Sequence, residues 1–243
     1  MGEALFWGAV SSGSLLLGAA AALVRTIPKR AIGLIMAFGA GVLISAVAFE
    51  LVQEGIEEAG RLRDVAFGLF AGSFVYFVGD ALIDRRGGND RKRSSGAQAD
   101  GSGLAIVLGT VLDGVPESVV IGLTLVKGGA VSVAMVVAVF LSNLPEAISA
   151  TAGLRTAGWR TSRIYALWTA VVVVSTAASA AGYGIFADAS GTTTALVLGF
   201  AAGAILTMLA DTMVPEAFEN GGRLVGLLTT LGFGTAVAVD AFS

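Results

Sequence analysis

The segments LDGVPES (112–118) and LSNLPEA (141–147) each place a proline and a glutamate in the middle of an otherwise apolar run. Asp113 and Glu117 are four residues apart, as are Ser142 and Glu146, so on a helix each pair shares one face, with Asn143 one position round. Pro116 and Pro145 lack an N–H, which frees the carbonyls of Leu112 and Leu141 from their usual helical bond and favours a kink. Each segment thus offers carboxylate, neutral side-chain oxygen and a loosened carbonyl at one level. If the two segments face one another, Asp113, Glu117, Ser142, Asn143 and Glu146 form an all-oxygen cage of charge up to −3, suited to a divalent cation. A charge at the bilayer centre costs from about 2.5 to over 10 kcal/mol, so three persist together only if a cation neutralises them or they carry protons. The plainer alternative is protonated carboxyls that hydrogen-bond between helices.

The elements holding these segments must cross a membrane. The chain of 243 residues is 55% hydrophobic and 14% charged, where soluble domains carry about a quarter of charged residues. Mean hydropathy is +0.83. Eight apolar stretches reach the ~20 residues a spanning helix needs, at 5–24, 31–53, 64–84, 103–126, 129–154, 164–187, 192–217 and 224–242. No basic segment precedes the first, which reads as a true span and not a cleaved signal. Twelve of the 15 Lys and Arg fall in alternate loops, and only Arg61, Arg63 and Lys127 fall on the other side. That bias predicts both termini outside and an 85–102 loop in the cytoplasm. With no Cys and no His, disulfides, thiolate sites and imidazole ligands are excluded.

The whole of 1–243 reads as one all-α, eight-helix polytopic domain. Its single low-complexity segment is RRGGNDRKRSSGAQADGSG (85–103), a flexible basic loop with a lipid-head-group or regulatory role as the alternative. FGAGVLISAVAFELVQEGIEEAG (38–60) aligns without gaps on FAAGAILTMLADTMVPEAFENGG (200–222), pairing Phe38 with Phe200, Gly41 with Gly203, Glu54 with Glu216 and Gly60 with Gly222. The register continues through Leu69/Leu231 and Gly72/Gly234. Spans 2 and 7 cross in opposite directions, so spans 1–3 and 6–8 form an inverted repeat flanking spans 4 and 5, an organisation of secondary transporters with a midplane site. Further acids extend a path: Glu50 and Glu54 at the outer end of span 2, Asp80 and Asp84 at the inner end of span 3, Asp211 and Glu216 in the inner part of span 7. Simple interfacial exposure is the alternative for each. GLFAG (68–72) brings two helices close, within the chain or at a dimer face.

These features together resemble the ZIP (Zrt/Irt-like) family of divalent metal transporters: eight spans, outside termini, a variable loop after span 3 and a Pro-Glu motif in each of spans 4 and 5. The family's span 4 motif resembles His-Asn-x-Pro-Glu-Gly, and its span 5 motif His-Glu-x-Pro-His-Glu or a Pro-Glu-Gly variant; here they read DGVPES and SNLPEA. By position the resemblance implies that Asp113, Glu117, Ser142 and Glu146 hold the primary metal, with Asn143 shared with a second site. It also implies an elevator-like movement of spans 1, 4, 5 and 6 past spans 2, 3, 7 and 8, carrying metal into the cytoplasm. Asp113 stands where the family has His and Gly114 where it has Asn, which weakens the second site. Oxygen ligands shift preference towards Mg, Ca and Mn, although zinc accepts carboxylates. Zn, Mn, Fe(II) and Cd are the expected cargo, with no organic cofactor.

Expected partners are the lipid bilayer and the divalent cation, with a homodimer as an option and no nucleic acid. The setting is an integral membrane, read as a bacterial inner membrane. No GxxxxGK[ST] motif occurs, against direct ATP drive. An intramembrane enzyme using paired carboxylates is disfavoured, so the chain is read as not an enzyme. A non-transporting sensor or scaffold and a proton-coupled carrier of another solute are the competing readings.

Overall fold

The spans that carry the acids are not uniform helices. In the computed structural model, which describes residues 1–85, 103–128 and 131–241, the second span begins as α2 (Lys29–Ala46), loosens into a π-helical segment (Val47–Gln53) and tightens again as α3 (Glu54–Ala59). The seventh repeats this order: α8 (Gly191–Met208), a π segment (Leu209–Met213), then α9 (Val214–Gly221). The remaining helices are α1 (Gly2–Val24), α4 (Leu62–Ile83), α5 (Gly103–Gly128), α6 (Val133–Thr156), α7 (Thr161–Ile185) and α10 (Leu224–Ala241). Among the described residues seven helical stretches are long and apolar enough to cross a membrane, and α10 supplies a shorter apolar stretch. This is the make-up of a polytopic integral membrane protein. Residues 86–102, most of the expected loop, lie outside the described residues.

Local chemistry explains where the helices stop. Gly60 adopts the left-handed region (φ 62°, ψ 17°), which costs residues with a Cβ about 1–2 kcal/mol, and Gly222 combines φ 66° with ψ −148°, a conformation essentially confined to glycine. Their N–H groups close the preceding turns on Ile56 O (2.8 Å) and Phe218 O (2.9 Å). These four residues correspond in the 38–60/200–222 alignment, as do the starts of the two π segments. Pro215 removes a helical N–H beside the second π segment, but Gln53 occupies the matching position in the first. The shared loosening therefore does not come from proline, and π segments of this kind gather at functional sites.

Packing divides the helices into two groups. In one, α1 touches α5, α6 and α7, and α5 packs on α7. α1 does this through a face of small residues, Gly8, Ser11, Ser12, Gly18, Ala19 and Ala22, all buried. Ser11 and Ser12 turn their hydroxyls back onto Gly8 O at 3.1 and 2.6 Å, so this face buries no unmet donor. In the other group α4 packs on α8 and α10 on α2. A Cβ built on Gly72 would lie 1.9 Å from Phe200 O, and one on Gly232 2.0 Å from Phe38 O, so both helix pairs depend on glycine at the crossing. GLFAG thus serves packing inside the chain, through Gly68 and Gly72 against α8. The expected Gly72/Gly234 match is not a match of contacts: it is Gly232 that meets Phe38, and Gly234 faces open space. On its outer side α4 exposes Phe67, Phe70, Phe74 and Phe77, the apolar surface a bilayer requires.

Candidate functional site

α5 and α6 run as helices straight through Pro116 and Pro145. In water-soluble helices an interior proline costs about 3 kcal/mol or more. Here neighbouring helices bury the surrounding turns, which keeps the helices continuous. All five residues singled out from the sequence lie in the interior: Asp113 is 4% exposed, Glu117 2%, Ser142 1%, Asn143 6% and Glu146 7%. They sit mid-helix in two adjacent spans, away from both ends of the bundle.

Their surroundings differ from the simple face-to-face cage. α5 and α6 barely touch; α5 leans on α7, while α6 packs between α1 and α2. Among the described residues no three acidic side chains gather as a group able to hold a metal ion. The Leu141 carbonyl, which Pro145 deprives of its usual helical donor, lies against α2, where a Cβ at Gly39 would come within 3.0 Å of it. Gly39 leaves the room for this approach. Gly114 faces α7, with Ser175 Oγ 3.1 Å from the place its Cβ would occupy.

Asp113 receives a hydrogen bond from the Tyr76 hydroxyl of α4. Tyr76 is itself only 1% exposed, so this contact is sealed from solvent. Two further acids of the expected path show the same pattern. Ser132 caps α6 by accepting from Met135 N at 3.0 Å, and its hydroxyl proton is donated to Glu50 Oε2 at 2.5 Å. Ser149 of α6 donates to Glu216 of α9, which is 7% exposed. Each of the three contacts joins one helix group to the other. They lie near one end, the middle and the other end of the bundle.

The other path residues are placed less deeply. Glu54 is half-buried and lines a concavity of about 550 Å³ with Phe49, Gln53, Glu57 and Glu58. Asp80 and Asp84 are half-buried near the end of α4, and Asp211 is exposed. Asp80 stands close enough to Asp211 for their charges to interact. Sequence reasoning did not single out Tyr76, Ser132 or Ser149. The available signal for Tyr76 was a phenol inside an apolar span, a group that needs a polar partner when buried. Ser132 and Ser149 gave no comparable signal, since serines recur throughout these spans.

No family model matches the chain. A protein of Arabidopsis thaliana provisionally named a zinc transporter is 26% identical over 191 residues. The match covers 77% of this chain and 30% of the relative, so the chain spans under a third of that protein's length.

Proposed function

We propose that this chain is a secondary transporter of divalent metal cations of the ZIP type, with the cation as cargo and not as a resident cofactor. The observation that carries the reading is the burial of Asp113, Glu117 and Glu146 in the interior of apolar spans, with Ser142 and Asn143 buried in the same span as Glu146. Burying three carboxylates in a membrane needs a function that offsets the cost. The similarity to a plant protein named as a zinc transporter supports the same class. In this reading Glu117 and Glu146 are the principal ligands, with Ser142 and Asn143 as neutral donors. Cation binding draws these groups of α5 and α6 onto one ion. Asp113, tethered to Tyr76, completes the set.

The two helix groups suit alternating access. The group of α1, α5, α6 and α7 carries the ligands, and the group of α2, α4, α8 and α10 forms a frame built on an inverted repeat. The three hydroxyl–carboxylate contacts at the boundary are the polar links that a sliding movement exchanges. Glu50 and Glu54 serve the outer mouth, and Asp80, Asp84, Asp211 and Glu216 the cytoplasmic exit. The oxygen-only ligand set admits Zn, Mn, Fe(II) and Cd.

One observation favours a second reading, a sensor or scaffold that does not transport: no acidic trio stands assembled among the described residues. Uptake into proteoliposomes decides between them. Saturable uptake of Zn, Mn, Fe(II) or Cd, abolished by Glu117→Gln and by Glu146→Gln, is the expected result. Absence of uptake of every ion between pH 5.5 and 8, by folded protein, overturns transport.

A further inference from the structure

Where α1, α2 and α6 meet at one end of the bundle there is a cavity of about 370 Å³ that the cation reading does not use. Arg25, Lys29 and Arg155 line it, with Ile27, Ile32 and Ile148 supplying apolar wall. The hydroxyl-bearing Thr26 and Thr156 also border it, and among the described residues no carboxylate does. Three positive side chains around an apolar floor would repel a metal ion and attract an anion.

The site has built parts. Arg155 is fixed by donating from Nη1 to Ala22 O at 2.7 Å and to Leu23 O at 3.2 Å, in the last turn of α1. That contact holds the guanidinium at the rim, where its planar fork can meet phosphate oxygens. The opposite wall is the start of α2, an 18-residue helix whose first turn has no side-chain cap. The positive end of that helix adds to the field from Lys29. Val24, 87% exposed and next to Arg25, marks an apolar outer surface at the same level.

We propose that this cavity binds a phosphate group, supplied by the headgroup of an anionic lipid in the leaflet it faces. The apolar floor and the exposed apolar side chain of Val24 beside it suit a lipid better than a free ion. Because α1 and α6 belong to one helix group and α2 to the other, a bound headgroup ties the two together. The lipid thereby favours the arrangement in which Arg155 and Lys29 stand across one cavity.

The test is the thermal unfolding of the full chain in detergent, titrated with phosphatidylglycerol, phosphatidylcholine or inorganic phosphate. Phosphatidylglycerol is expected to raise Tm with concentration, and phosphatidylcholine is not. The Arg25→Gln/Lys29→Gln double variant, which leaves the Arg155 contact with α1 intact, should bind phosphatidylglycerol about 25-fold more weakly, at about a fivefold loss per removed charge. An Arg160→Gln/Arg223→Gln control, which removes two exposed charges away from the cavity, should respond as the parent does. Equal shifts from both lipids, or an unaltered response in the double variant, overturn the proposal. A response to inorganic phosphate as strong as to phosphatidylglycerol, lost in the same double variant, retains the phosphate site and makes its source the aqueous phase.

Discussion

At the scale of single residues, the balance is between the cost of burying a carboxylate and what its neighbours return. Asp113 is held by Tyr76 in a site closed to solvent. A hydrogen bond of this kind contributes about 0.5–1.5 kcal/mol, and leaving a buried acceptor without its donor costs about 1–3 kcal/mol. Tyr76→Phe should therefore raise the KM for the transported cation by about tenfold or more while changing the saturated rate less. Initial uptake rates over a cation series measure this, and an unchanged KM would remove Asp113 from the ligand set. The spacing of Asp113 with Glu117 and of Ser142 with Glu146 was legible in the sequence because helical neighbours are a matter of arithmetic. The tyrosine was not, because its partner lies 37 positions away on another helix.

At the scale of elements, glycine decides which helices meet. A Cβ on Gly203 would lie 1.9 Å from Leu69 O, and one on Gly41 1.9 Å from Thr229 O, so neither can be accommodated without moving a helix backbone. Gly203→Val and Gly41→Val should each lower Tm strongly or prevent folding, as read by size-exclusion profile and thermal unfolding. Gly13→Ala, with open space around the new Cβ, should leave both unchanged. The paired π segments make a separate prediction. Amide hydrogens at 47–53 and 209–213 should exchange faster than those of the flanking turns of α2 and α8, because the i→i−4 ladder is interrupted there. Equal protection along both spans would contradict this. The repeat that anticipates these segments was visible as matched residues at a constant offset. The π geometry was not, since Gln53 and Pro215 give different local signals at the same place.

At the scale of the whole molecule, two helix groups meet along a boundary bridged by Glu50–Ser132, Tyr76–Asp113 and Ser149–Glu216. If movement of one group past the other is the transport step, joining them should stop it. The chain has no native cysteine, which makes this test clean. Glu50→Cys with Ser132→Cys, joined by a short bifunctional thiol reagent, should lose uptake relative to the same protein left unjoined. Ser73→Cys with Thr207→Cys lies within one group, where the two hydroxyls of α4 and α8 already meet at 2.7 Å, and joining that pair should leave uptake unchanged. Loss of uptake in both pairs, or in neither, would contradict movement along this boundary.

The sequence by itself determined the features that follow from composition and period. Apolar length marks the spans, the prolines and carboxylates mark the two odd helices, and a constant offset marks the internal copy. Each depends on residues near one another in the chain or on a pattern that repeats along it. The tertiary structure alone decided which helix lies against which, and so sent the Leu141 carbonyl towards Gly39 and gave Asp113 its tyrosine. It also left α5 and α6 leaning on different neighbours. The reason is physical: helices in a membrane associate through small residues, and a chain with 34 glycines offers many such faces at once. Only the joint fit of all the helices selects among them.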